Sequence, residues 1–183
     1  MQIVFLGPPG AGKGTQAVRV AQRLGAPHLS TGEMLRQAIR SQSDLGRQAA
    51  EHINAGRLVP DALVDALVEQ RLAQPDCRSG FVLDGFPRTL EQAEYLDGLL
   101  ARRDAALDAV VELEVPEQEL LIRLSRRGRE DDLEQVVRER LRQYDELTQP
   151  LVDYYRRRGV LREVPGEGSL EDVFARIMQA LKG

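Results

Sequence analysis

Apolar and polar positions follow two rhythms along this chain. Short segments at 2–6, 27–30, 80–84, 109–115 and 160–164 have the length of strands, and several are rich in Val, Leu or Ile. Between them the spacing turns helical. Val64, Leu67, Val68 and Leu72 make one stripe; Val137, Leu141, Tyr144, Leu147, Leu151 and Tyr154 make a longer one; Leu170, Val173, Phe174, Ile177 and Leu181 make the last. All three read as core-facing. Ser169 with Asp172, and Thr89 with Gln92, have capping-box spacing at a helix start, and Pro150 should kink the long stripe or mark a boundary within it. Strand and helix alternate throughout. That order predicts an α/β fold with a five-stranded parallel sheet, right-handed crossovers and helices on both faces.

On such a sheet, ligands bind beyond the carboxyl ends of the strands. The first run ends there in Gly7-Pro8-Pro9-Gly10-Ala11-Gly12-Lys13-Gly14-Thr15. Glycines let the backbone curl so that successive N–H groups converge on one phosphate, Lys13 adds a mobile positive charge, and the following helix adds its N-terminal dipole. The bland reading, a turn that merely joins strand to helix, ignores how completely the context fits. The third run ends in Asp84 and continues Gly85-Phe86-Pro87-Arg88, with Gln92 beyond. Asp84 is placed like an acid that holds Mg²⁺, often through water, although a strand-end carboxylate can also cap a turn.

Composition narrows the partners. The chain has 183 residues, 42% of them hydrophobic, enough for one substantial core, and a formal net charge of −4. An acidic balance argues against general nucleic-acid binding. Cys77 is the single cysteine and His28 and His52 are the only histidines, so neither an internal disulfide nor a four-ligand Cys/His zinc site can be assembled. No apolar run approaches the roughly 20 residues of a membrane span. The expected setting is the cytoplasm, without membrane attachment. Two segments lack a strand, 30–59 and the short charged run 126–132, and both are candidate flaps.

Four motifs occur in order: Gly7 to Thr15; Ser30-Thr31-Gly32-Glu33-Met34-Leu35-Arg36; Gly56-Arg57-Leu58-Val59-Pro60; and Asp84 to Gln92. Arg123, Arg127-Gly128-Arg129-Glu130-Asp131-Asp132, Arg140 and Gly166-Glu167-Gly168-Ser169 continue the series. With these motifs the chain resembles the adenylate kinases over essentially its whole length. The resemblance implies a three-layer phosphate-loop fold as one domain over 1–183, with an AMP-binding flap at 30–59 and a short lid at 126–132. It implies phosphoryl transfer from Mg-ATP to AMP, giving two ADP.

By the same resemblance, Gly10, Ala11, Gly12, Lys13, Gly14 and Thr15 take the ATP phosphates. Arg123 lies against the adenine of ATP, Arg127 reaches phosphate, and backbone near Gly168 lines the pocket. Thr31, Arg36, Arg57, Leu58, Val59, Gly85, Phe86, Pro87, Arg88 and Gln92 match the AMP positions, with Arg129 and Arg140 reaching between substrates. Lys13, Asp84, Arg88, Arg127, Arg129 and Arg140 are the expected catalytic set, Asp84 holding Mg²⁺ through water and Glu33 doing so secondarily. Glu33 stands where many members have Asp. The lid lacks both the long insertion and the metal ligands of some bacterial members, so no structural zinc is expected, and the short form suggests a monomer acting on free ATP, AMP and ADP.

Residue by residue, plainer readings stand beside these. The arginines of 123–129 could be a solvated helix end, with Arg126 facing solvent; Arg140 could snorkel; Gln92 could only close a box on Thr89; Thr31 could only cap a helix. A UMP/CMP kinase would share fold and arginines, but Thr89-Leu90-Glu91-Gln92 resembles the adenylate branch. A nucleotide-dependent switch is the reading from another class, and its guanine form is disfavoured because no Asn-Lys-x-Asp sequence occurs.

Overall fold

The computed structural model describes residues 1–127 and 133–182, with Arg127 described in its backbone only. Five strands form one parallel sheet: β1 (Gln2–Leu6), β2 (His28–Ser30), β3 (Phe81–Asp84), β4 (Ala109–Glu114) and β5 (Leu161–Pro165), in the spatial order β2-β3-β1-β4-β5. Each expected strand lies within a residue or two of its predicted position; the central β1, β3 and β4 are largely apolar on both faces because helices cover both, whereas the edge strands β2 and β5 are only partly buried. Ile3, Val4, Phe5 and Leu6 are at most 2% exposed. Val4 and Leu6 face one core with Leu83 and Val110, whereas Ile3 and Phe5 face the other with Val111 and Leu113.

The helices are α1 (Lys13–Leu24), α2 (Thr31–Arg40), α3 (Asp44–Asn54), α4 (Asp61–Leu72), α5 (Leu90–Ala101), α6 (Glu117–Arg127), α7 (Glu134–Gln143), α8 (Pro150–Arg157) and α9 (Leu170–Ala180). The segment expected as a flap, 30–59, is occupied by α2 and α3. Of the expected lid, Arg126 is exposed at the end of α6, and 128–132 lie outside the described residues.

Register places the ends of the strands at one rim. Phe5 pairs with Asp84 and Asp84 with Ser30, so the glycine-rich loop, the third-strand acid and the start of α2 emerge side by side. Gly7 packs so closely on β4 that a Cβ there would sit 2.7 Å from the Leu113 carbonyl oxygen.

Three side-chain expectations need correction. Leu147 and Leu170 are 39% and 53% exposed rather than core-facing. For Leu147 the reason is a π-helical turn over Tyr144–Thr148, whose extra residue rotates the buried face so that Thr148 turns inward and, past Pro150 at the start of α8, Tyr155 is buried more deeply than Tyr154. Leu170 opens α9, where the capping box between Ser169 and Asp172 does form. At α5 only half of the expected box forms: Thr89 accepts from the Gln92 N–H, but the Gln92 side chain turns elsewhere.

Glu112 is a buried acid within β4, 5% exposed, with Oε2 unpartnered among the described residues. Burial above all, then Glu114 and Glu163, pushes its carboxyl up to about 7. The native state therefore holds the Glu112 proton more tightly than the unfolded chain does, and stability falls as pH rises from about 4.5 through about 7. Glu112→Gln is expected to add about 1–3 kcal/mol at pH 8 and to flatten that slope. Urea midpoints at pH 5 and pH 8 check this, and an unchanged difference between them would contradict it.

Candidate active site

The loop between β1 and α1 ends in a glycine cap. Ser or Thr side chains cap α2, α3, α5 and α9, whereas the N-cap of α1 is Gly12, at φ +93°, with no side-chain cap. Around Gly12 no protein atom lies within 4 Å of where a Cβ would stand, so the first-turn amides of α1 and its dipole face open space. A helix N-terminus of this kind suits an anion. The Lys13 ammonium is held over the loop by the carbonyls of Gly7, at 2.6 Å, and Pro8, at 2.9 Å.

These groups open on a cleft of about 790 Å³, within the size range of small-molecule and cofactor sites. Gly10, Ala11, Gly12, Lys13, Gly14 and Thr15 line one wall, and Gly166, Gly168 and Ser169 another. Four arginines enter from separate elements: Arg36 from α2, Arg88 from the loop after β3, Arg123 from α6 and Arg140 from α7. Arg123 is braced by Glu119 at 2.8 Å and donates to the carbonyls of Ala11, at 3.4 Å, and Gly166, at 3.0 Å, so it ties α6 across the cleft wall.

Two smaller cavities adjoin, and Gly85, Arg88 and Arg140 line all three spaces. One, about 80 Å³, gathers Thr31, Arg36, Arg57, Leu58, Val59 and Gln92. The other, about 70 Å³, includes Leu58, Pro87, Tyr144 and Thr148. Gly85 needs its φ of +83° and its missing side chain, since a Cβ would come within 2.8 Å of the Thr31 hydroxyl. Arg88 is fixed along its backbone: its N–H donates to Gln92 Oε1 at 2.7 Å, its carbonyl accepts from the Thr148 hydroxyl at 2.9 Å, and its Nε donates to the Gly85 carbonyl at 2.8 Å.

Not every expected residue reaches the cleft. Phe86 is fully buried in the core and lines none of the three spaces, leaving only its backbone for a ligand. Thr31 does not cap α2; Ser30 does, while the Thr31 hydroxyl donates to the Asp84 carbonyl at 3.4 Å. Glu33 pairs with Arg36 at 2.6 Å. Arg129 falls outside the described residues, as does the side chain of Arg127.

Sequence reasoning missed Glu119, although its i,i+4 spacing to Arg123 was visible. It also missed Ser30 and Asp61, whose bonds to Asp84 and to Gln92 join segments about 30 or more residues apart. His28 lines the cleft too, and burial, opposed by Asp84 and Glu33, keeps its imidazole below the usual range, so near neutrality it adds little charge. Thr15, Ser30 and Asp84 supply hydroxyl and carboxylate oxygens to one region, a donor set that fits a hard cation such as Mg²⁺.

Fold and loop together define a protein of the phosphate-loop α/β class. The family model described as adenylate kinase matches residues 5–160. The chain is 52% identical over 181 residues to an adenylate kinase of Mycobacterium sp. (strain MCS), covering 99% of each, and 48% identical over 187 residues to one of Stenotrophomonas maltophilia (strain R551-3), covering all of both. An adenylate kinase of Moorella thermoacetica is 47% identical over 212 aligned positions, more than this chain's 183 residues, and so carries insertions relative to it. The chain belongs to the adenylate kinase family. No described helix is long and apolar enough to cross a membrane.

Proposed function

We propose that the protein transfers the γ-phosphoryl group of Mg-ATP to AMP, reversibly, giving two ADP. The observation that carries this reading is the shared lining: Arg88 and Arg140 border both the large cleft beside the glycine-rich loop and the smaller cavity at Gln92. A donor in the first and an acceptor in the second would meet at these two guanidinium groups.

An AMP phosphate oxygen bonds to the γ-phosphorus as the bond to the β,γ-bridging oxygen breaks, and ADP leaves with that electron pair. The acceptor phosphate is already largely ionised at neutral pH, so no strong general base is needed. Repulsion is the obstacle, with about four negative charges on one substrate and nearly two on the other. Lys13, Arg36, Arg88, Arg123 and Arg140 oppose it, and planar guanidinium forks hold phosphate oxygens in fixed directions. In this reading Arg127 and Arg129 join them when a lid over 126–132 closes and excludes water. Asp84, with Thr15, would hold Mg²⁺ through water, and the ion would neutralise part of the phosphate charge. Glu33, through its ion pair, orients Arg36. The protein would act as a cytoplasmic monomer on free nucleotides.

The test is ADP formation from Mg-ATP with AMP, CMP, UMP or GMP, against a control without acceptor. Turnover confined to AMP is expected. Preference for CMP or UMP would keep the phosphate site and overturn the acceptor pocket, and ADP release without acceptor would replace the kinase with an ATPase or switch.

A further inference from the structure

Asp61, the first residue of α4, reaches across to the start of α5. Its Oδ2 accepts from the Thr89 hydroxyl at 2.5 Å and its Oδ1 accepts from Gln92 Nε2 at 2.9 Å. Gln92 Oε1 meanwhile accepts the Arg88 N–H at 2.7 Å. A carboxylate only accepts, and a backbone N–H only donates. The Gln92 amide is therefore clamped with its nitrogen toward Asp61 and its oxygen toward Arg88, and rotating it by 180° would set oxygen against oxygen and N–H against N–H. Burial makes such a mismatch costly, since Gln92 is 2% exposed and Thr89 9%.

We propose that Asp61 is a positioning residue that fixes which edge of a purine the acceptor pocket accepts. The inference rests on the reading of Gln92 as the base contact. After its two internal bonds the amide retains one N–H and one oxygen lone pair. Adenine offers an acceptor at N1 beside a donor at N6, and hypoxanthine and guanine offer the reverse, a donor at N1 beside an acceptor at O6. A freely rotating glutamine could pair with either order. A clamped one pairs with only one, so Asp61 converts an ambivalent side chain into a selective one.

Asp61→Ala removes the acceptor of both bonds, which releases the clamp. The expected result is a rise in KM for AMP with KM for ATP unchanged, and a fall of at least about 10-fold in the ratio of kcat/KM for AMP to that for IMP. A packing role alone would lower thermal stability and leave that ratio in place. Gln92→Ala, measured in parallel, separates the two levels of the argument. If Gln92→Ala leaves AMP and IMP kinetics unchanged, the base-contact reading fails; if it alters them while Asp61→Ala leaves the AMP:IMP ratio intact, only the Asp61 inference fails. Should Asp61→Ala not fold, the wild-type protein still decides. Exchange of the Gln92 side-chain amide protons, followed by NMR, should be at least about 10-fold slower than that of exposed Gln149, and equal rates would overturn the clamp.

Discussion

Lys13→Met is expected to lower kcat/KM by about 10³-fold or more while leaving the melting temperature close to that of the parent. The two halves of this expectation have different origins. Methionine keeps the apolar stem but not the ammonium, which donates to the loop carbonyls of Gly7 and Pro8. The core strands and helices do not depend on it. Charge developing on the transferred phosphoryl group, by contrast, has no substitute for a cation at this point, because the remaining loop donors are uncharged backbone amides. Coupled assay of ADP formation with a parallel melt checks the prediction. Activity within about 10-fold of the parent would remove Lys13 from the proposed phosphate site.

Arg88→Ala should lower kcat by about 10²–10³-fold, again without unfolding. Arg88 holds its loop through its own backbone, whose N–H bonds Gln92 and whose carbonyl bonds Thr148, so truncating the side chain leaves both anchors in place. What goes is the guanidinium shared by the three adjoining spaces. Arg88→Lys should restore little, since an ammonium cannot span two phosphate oxygens as a planar fork does. A KM change for AMP alone, with kcat unaltered, would make Arg88 a ground-state binder and shift the catalytic burden to Arg140.

The residues whose roles could be read from sequence share one property: their partners are near in sequence or their pattern is periodic. The central strands β1, β3 and β4 were visible because strands buried on both faces are nearly continuously apolar, and the loop at 7–15 because its backbone demands glycine at fixed places. Leu147 was misread because helical periodicity assumes a constant pitch, and the π-helical turn at Tyr144–Thr148 breaks it. Gln92 was legible as half of a capping box through its i,i+3 spacing to Thr89, and as an AMP position only through the resemblance, whereas its bond to Asp61 closes a loop of 31 residues that no periodicity encodes. The arginines were legible as a set but not as a geometry. Only the parallel order of the sheet brings Arg36, Arg88, Arg123 and Arg140 to one cleft.

That parallel order divides the molecule into two rims with different tolerances. All five strands point the same way, so the loops that follow them gather at one rim with the cleft, while the turns that precede them lie at the other. There the Met1 amine meets the Ser79 carbonyl, and the exposed turn around Asp104 leads into β4. This second rim is where a fluorophore, an affinity peptide or a surface tether can be grafted. An immobilised or labelled form built at Asp104 would keep its nucleotide face toward solution, and could serve as an oriented, reusable sensor for adenine nucleotides.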